Sequence, residues 1–238
     1  MIAIVAAIRE EIAGIKNLYR HFSGQAKVVL TGPGKACAVA ATKNLVNSQP
    51  KPQAIISTGF CAGLLDELST GDLVLPRKLN LAHSPNTLQV DSRLSQIAEE
   101  CIHENILPYM RRDSVTVPTL LVTPESKLEA SRSYDAQCAS LEDYWICWIA
   151  SNAGIPFLSI HAVLDTSNQS IKPNVERLMW LRQEKGQFKA FLHAISKPMD
   201  YPTLLLLAKR ARQASNQLGI FLLAFVCNTL VRHPEKLF

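Results

Sequence analysis

The sequence predicts an α/β fold, three layers (αβα) around a central mixed, largely parallel sheet. Three observations carry this. Short apolar runs alternate with longer stretches of helical periodicity from Met1 to Ser170. The run Phe157–Asp165 is apolar at nearly every position rather than at alternate ones, which suits a strand buried on both faces. No internal repeat, low-complexity tract or linker breaks the alternation, so residues 1–238 read as one domain.

The elements follow in order. Met1–Ile8 is a first buried strand by composition. Ile12, Ile15 and Leu18 share a helical face, which predicts a helix over Arg9–Tyr19 that opens beside Glu10 and Glu11. A strand at Lys27–Thr31 leads into the tight turn Gly32-Pro33-Gly34-Lys35 and an Ala-rich helix, Ala36–Val46. That turn lacks the GxxxxGK[ST] spacing of a phosphate loop and reads as structural. Ala54–Thr58 is a third strand. Gly59-Phe60-Cys61-Ala62-Gly63 after it reads as a Gly-rich loop whose small residues would let backbone approach a ligand or a neighbouring element. Gly71-Asp72 opens a strand at Leu73–Leu75, Ser92–Glu104 is helical by pattern, and Ser114–Val122 is a strand. Thr123-Pro124-Glu125-Ser126 starts a helix, and Glu142 or Asp143 opens another that runs through Trp145 and Trp148 to Gly154. After Phe157–Asp165 comes a loop, Ser167–Asn174, and then helices.

The last third differs. Tyr201 to about Val231 reads as one long helix or two. No charge lies between Arg212 and Arg232, yet Gln213, Ser215, Asn216 and Gln217 interrupt that window. The remaining apolar run is about half the roughly 18 residues a membrane span needs. A buried core helix is the expectation, with membrane or lipid contact through residues 201–231 as the alternative.

Composition bounds the function. With 47% hydrophobic and 19% charged residues, the chain is globular rather than disordered. The net charge of +5 is scattered. Arg111-Arg112 and Lys209-Arg210-Ala211-Arg212 are too small to read as a nucleic-acid footprint. Six cysteines, at 37, 61, 101, 138, 147 and 227, show no CxxC pairing and several lie in apolar segments. They read as reduced thiols in a cytoplasmic protein, not as a disulfide framework or a metal site. MIAIVAAI has no basic lead-in and meets Arg9-Glu10-Glu11 too soon for a secretory leader.

The chemistry concentrates on carboxylates at strand ends. Asp165 closes an apolar strand and is followed by Thr166-Ser167-Asn168-Gln169-Ser170, a run with turn chemistry. By itself it suits two roles equally, a cap for the next helix or a ligand-binding group at the carboxyl edge of an open sheet. Glu10 or Glu11 follows the first strand, and Glu142 precedes the Trp-containing helix. Each could be a solvated helix start. Three at matching positions favour a shared site. His161, inside a buried strand, reads as a hydrogen-bonded core residue, and Cys61 as a buried thiol without a partnered His.

The runs IAIVAAIREEI, AIISTGFCAGLLDELSTGDLVL and CASLEDYWICWIASNAGIPFLSIHAVLDTSNQS, in that order and spacing, resemble the nucleoside phosphorylase/nucleosidase superfamily. The resemblance is nearest to methylthioadenosine/S-adenosylhomocysteine nucleosidases. It implies cleavage of the N-glycosidic bond of a purine nucleoside. Asp165 would protonate the leaving purine at N7, and Glu11 (Glu10 in the alternative register) would position or activate the attacking water. Glu142 would accept hydrogen bonds from the ribose hydroxyls. Gly59, Phe60, Cys61, Ser140 and Leu141 would line the substrate.

Departures from the family pattern qualify this. Ser140 replaces an acidic residue, Phe60-Cys61 replaces a small hydroxyl residue after the glycine, and Ser57 stands where hexameric phosphorylases hold a phosphate-binding Arg. Lys127 lies in a turn where the family places an aromatic residue against the base. The missing Arg favours hydrolysis, although Arg9, Lys35 and Arg77 could supply charge to inorganic phosphate as a co-substrate. No cofactor and no metal are implied. A subgroup of the family, the hopanoid-associated phosphorylases, implies adenine release from an adenosyl lipid as an alternative; the drift from the nucleosidase motifs and the apolar C-terminal helix fit a long hydrophobic substituent. A non-catalytic nucleoside-binding descendant is another. The family implies a homodimer or larger.

Overall fold

The computed structural model describes residues 1–15, 24–171 and 201–232. Among them, ten strands form one mixed sheet. At its centre β1 (Ile2–Ala6) lies between β2 (Ala26–Leu30) and β3 (Ala54–Gly63) and is parallel to both. β10 (Phe157–Asp165) runs parallel to β3 over its whole length. These are the apolar runs of the sequence, and every residue of β1 and β10 is buried.

β3 is ten residues long, and its second half pairs antiparallel with β9 (Cys138–Ser140). β9 continues through β8 (Ser114–Thr116) and β5 (Lys78–Leu81) to β6 (Thr87–Gln89). Beyond β10, β4 (Leu73–Val74) and β7 (Tyr109–Met110) complete the sheet.

Alternation along the strands gives the layers. Ile2 and Ile4 of β1, Ala54 and Ile56 of β3, and Leu158 and Ile160 of β10 join one core; Ala3, Val5, Ile55 and Phe157 join another. Successive side chains of a strand point to opposite faces, so the two cores lie on the two sides of the sheet. The first is closed by α2 (Ser92–Glu104) and α5 (Tyr201–Cys227), the second by α1 (Lys35–Val46) and α4 (Asp143–Asn152). Local chemistry starts these helices where the sequence places them. Asp91 accepts from the Leu94 N–H at 2.8 Å to cap α2. Thr123 and Ser126 form a reciprocal capping box at α3 (Pro124–Tyr134).

Three expectations change, and the C-terminal segment follows the one-helix reading. Residues 9–12 are turns and Ala13–Ile15 is a single 3₁₀ turn, so no α-helix opens at Arg9; Leu18 and Tyr19 lie outside the described residues. The cause is close packing: a Cβ on Gly219 of α5 would lie 2.7 Å from the Gly14 carbonyl, and Gly14 N–H donates to Ser215 Oγ at 3.0 Å. Gly59–Gly63 is not a loop but the second half of β3. The strand expected over Ser114–Val122 stops at Thr116, two residues before Pro118, which has no N–H for a ladder. The C-terminal segment is one 27-residue helix passing into a π turn, Asn228–Arg232, with Ala214, Leu218, Phe221, Leu222, Phe225 and Val226 in the core. Among the described residues no helix is long and apolar enough to cross a membrane. The helices expected between residues 172 and 200 lie outside the described residues.

Candidate active site

Glu11 follows β1 and is buried, with its carboxylate folded back on the backbone. Oε2 accepts from the N–H groups of Ala7 at 2.8 Å and Ile8 at 3.0 Å, and Oε1 accepts from Phe60 N–H at 3.1 Å. This pins it across the junction between β1 and the carboxyl half of β3. Position 59 must be glycine for that approach, since a Cβ there would lie 2.7 Å from Oε1 and 2.8 Å from Cδ. Burial pushes the Glu11 carboxyl up to about 7 against the pull of those three N–H groups, and the charge of Glu10 adds to the rise.

Glu142 immediately precedes α4. Its Oε1 accepts from Gly34 N–H at 2.6 Å, so it sits at the amino end of α1. Gly34 has φ 85°, a left-handed conformation that glycine adopts without strain. Burial pushes Glu142 up to about 8, opposed by the Gly34 N–H, while the charges of Glu11 and Asp143 push it further. Glu11 and Glu142 are therefore close enough for each ionisation to resist the other. Of the two register candidates, it is Glu11 whose carboxylate reaches β3.

These two groups make stability depend on pH. The folded chain holds both protons up to about pH 7 and 8, while the unfolded chain releases them near 4.5. Between those values the folded state binds more protons, so stability falls as pH rises. The Glu11 contribution is on the order of 3 kcal/mol. The melting temperature is expected to fall between pH 5 and 8, with a shallower slope in Glu11→Gln. An unchanged slope in the variant would mean that Glu11 is not the buried acid described.

Asp165 is buried at the end of β10. The pairing of β10 with β3 slips between Val163 and Asp165, a bulge that re-aims the last side chain and sets Asp165 opposite Ala62. Ala62 lies two residues beyond Phe60, or about 7 Å along the strand. Asp165 and Glu11 thus meet the same half of β3. The Asp165 carboxylate forms an ion pair with Lys127 of α3. Burial raises Asp165, while the charges of Lys127 and Arg210 and the Lys127 hydrogen bond pull it down.

Lys127 has no exposed surface, and its ammonium also donates to the carbonyls of Thr166 at 2.6 Å and Gln169 at 2.7 Å. Its position in α3 is no exposed turn facing a base, as the family pattern suggests, but an inward anchor. The partnership was illegible in the sequence; only the unusual polar residue at an otherwise sheltered helical position hinted at it.

Beneath the carboxylates lies a buried polar network. Ser57 Oγ donates to Asp143 Oδ1 at 2.5 Å and Ser159 Oγ to Asp143 Oδ2 at 2.7 Å, with His161 Nδ1 3.3 Å from Oδ2. His161 is the hydrogen-bonded core residue the sequence suggested. Ser57 is spent on Asp143. Ser140 is buried against Thr116 Oγ1 at 3.3 Å, and Leu141 packs against the small core that contains Leu64 and Val115. The Phe60 ring packs on the core that contains α5. The Cys61 thiol is raised well above its ordinary value, first by a hydrogen bond with Cys138 and then by burial, so it is a protonated thiol. Of the cations considered for an anion, Lys35 Nζ lies 3.8 Å over the Trp145 ring, and Arg9 and Arg77 are exposed.

The description "Phosphorylase superfamily" belongs to the family model that matches residues 8–195. A 5'-methylthioadenosine/S-adenosylhomocysteine nucleosidase of Listeria welshimeri is 26% identical over 224 residues, covering 78% of this chain and 94% of that protein. Two Helicobacter pylori structures superpose with a TM-score of 0.68 at 15% identity. Futalosine hydrolase covers 93% of this chain and 96% of its own. A 5'-methylthioadenosine/S-adenosylhomocysteine nucleosidase with butyl-thio-DADMe-Immucillin-A covers 93% and 97%. At that identity the likeness shows the fold.

Proposed function

The chain belongs to the phosphorylase superfamily, and from that premise we propose that it hydrolyses the N-glycosidic bond of an adenine nucleoside of the methylthioadenosine or S-adenosylhomocysteine type. The observation that carries this reading is Glu11, held by three backbone N–H groups beside Glu142 and raised to about 7. A carboxylate that titrates near neutrality can orient a water and accept its proton at working pH. Glu142 accepts hydrogen bonds from the ribose hydroxyls, and in its ionised form favours the positive charge that grows on the sugar. In its protonated form, which burial favours against the pull of Lys127, Asp165 gives its proton to N7 as the C1′–N9 bond breaks with its electron pair on the purine. The water oxygen bonds to C1′ and its proton passes to Glu11, so purine and sugar leave neutral.

Water is favoured over phosphate on electrostatic grounds. A phosphate beside Glu11 and Glu142 would bring negative charge to two carboxyls whose ionisations already oppose each other, and would oppose both further. The position in β3 that an Arg would need is Ser57, already bound to Asp143. Adenine release from methylthioadenosine, S-adenosylhomocysteine and adenosine, with and without inorganic phosphate, tests this. Release of adenine and free sugar without phosphate is expected. A requirement for phosphate, with a sugar 1-phosphate as product, would overturn the hydrolytic route, and no release from any of them would overturn the reading.

A second reading, an adenosyl lipid as substrate, draws on Leu206, exposed one helical turn before Arg210, the residue whose charge reaches Asp165. Faster adenine release from a 5′-alkyl adenosine than from methylthioadenosine would favour it.

A further inference from the structure

Lys127 is a fully buried side chain, and it is charged. An ammonium taken out of water survives only with its donors satisfied. Here all three have acceptors: the Thr166 carbonyl, the Gln169 carbonyl and the Asp165 carboxylate. None is left for a ligand. Two of the three acceptors belong to the loop that follows Asp165. That loop is closed on itself by Thr166 N–H donating to Gln169 Oε1 at 3.2 Å. It is tied to the segment before α3 by Ile171 N–H donating to the Val122 carbonyl at 2.8 Å. The ion pair closes on Oδ2 of Asp165.

Resting on the reading of Asp165 as the acid above, we infer that Lys127 is a positioning residue for the reaction. It ties the Asp165 carboxylate and the loop behind it to the start of α3, so that one carboxylate oxygen is held by the enzyme and the other is turned to the base. The ammonium also acts as the nearest fixed charge on that acid. The other groups facing Asp165 are Arg210 from α5 and the protonated thiol of Cys61 from β3. Asp66 is one step further away, where it accepts from Ser167 Oγ. Removing Lys127 leaves burial less opposed, so Asp165 keeps its proton to higher pH.

The test compares wild type with Lys127→Met and Lys127→Gln by two readouts. The pH–rate profile for adenine release is expected to lose about a hundredfold at its maximum from misplacement of the acid. The limb set by Asp165 should also move up by at least one pH unit, as loss of an opposite charge requires, while the limb set by Glu11 stays near 7. Carboxyl NMR of Asp-labelled protein, with Asp165 assigned by its absence in Asp165→Asn, should show the same upward move without any need for turnover. A purely structural lysine would lower the rate or the melting temperature and leave both titrations where they were, which would overturn the inference. If wild type releases no adenine from any nucleoside, the functional reading fails, and the carboxyl titration still decides the coupling. Lys127→Gln keeps an NH₂ group with two donors for the loop carbonyls and serves if Lys127→Met does not fold.

Discussion

Asp165→Asn is expected to lower kcat for adenine release by about 10²–10⁴-fold, the range for removal of a general acid. The amide has the shape of the acid but no proton to give, so the purine would have to leave as an anion. Substrate affinity should change far less, because Glu142 and the Gly59 backbone are untouched. The same substitution has a second consequence particular to this chain. It strips a fully buried ammonium of its counter-charge. An uncompensated buried charge costs about 3–5 kcal/mol, so the melting temperature should fall with the rate. The two effects separate in the double variant Asp165→Asn with Lys127→Met. That variant should regain most of the stability and none of the activity. An Asp165→Asn enzyme that turned over at the wild-type rate would remove Asp165 from the chemistry.

Glu11→Gln is expected to cost a similar 10²–10⁴-fold in kcat and to abolish the acid limb near pH 7. The glutamine amide has one acceptor oxygen where the carboxylate has two. Either Phe60 N–H or the Ala7 and Ile8 pair must then face an NH₂ group. The unpaired donors cost about 1–3 kcal/mol at low pH. At pH 8 the loss should be smaller, because the wild type must by then carry the charge of a buried carboxylate. A pH–rate profile and melts at pH 5 and 8 check both parts. An acid limb that survives in Glu11→Gln would assign it to another group, with Glu142 the first candidate.

Much of the framework was legible along the chain because it rests on local patterns. Apolar runs marked β1, β3 and β10, helical periodicity marked α2, and Thr123-Pro124-Glu125-Ser126 marked the start of α3. The carboxylates at strand ends were visible because open sheets gather ligand groups at their carboxyl edges. Of the readings that failed, the strand over Ser114–Val122 stopped at a local signal, Pro118, and in the other two a distant segment decided the outcome. Ile12, Ile15 and Leu18 have helical spacing, yet the chain after Glu11 turns tightly because Gly219 of α5 presses on Gly14. Gly59–Gly63 looked like a loop, yet β9 and β10 supply it with partners on both edges.

The sequence by itself determined the class of fold, the acidic residues available for chemistry and the absence of an Arg in β3, since composition and periodicity are local and short in range. Only the tertiary structure decided which of Glu10 and Glu11 meets β3, that Ser57 serves Asp143, and that Lys127 holds Asp165. Residues 127 and 165 stand far apart in the chain and share no periodicity. Their meeting depends on the bulge at the end of β10 and on a loop whose carbonyls need a donor. Burial then gives that contact its strength, because a charge that would be trivial in water becomes decisive where no water reaches.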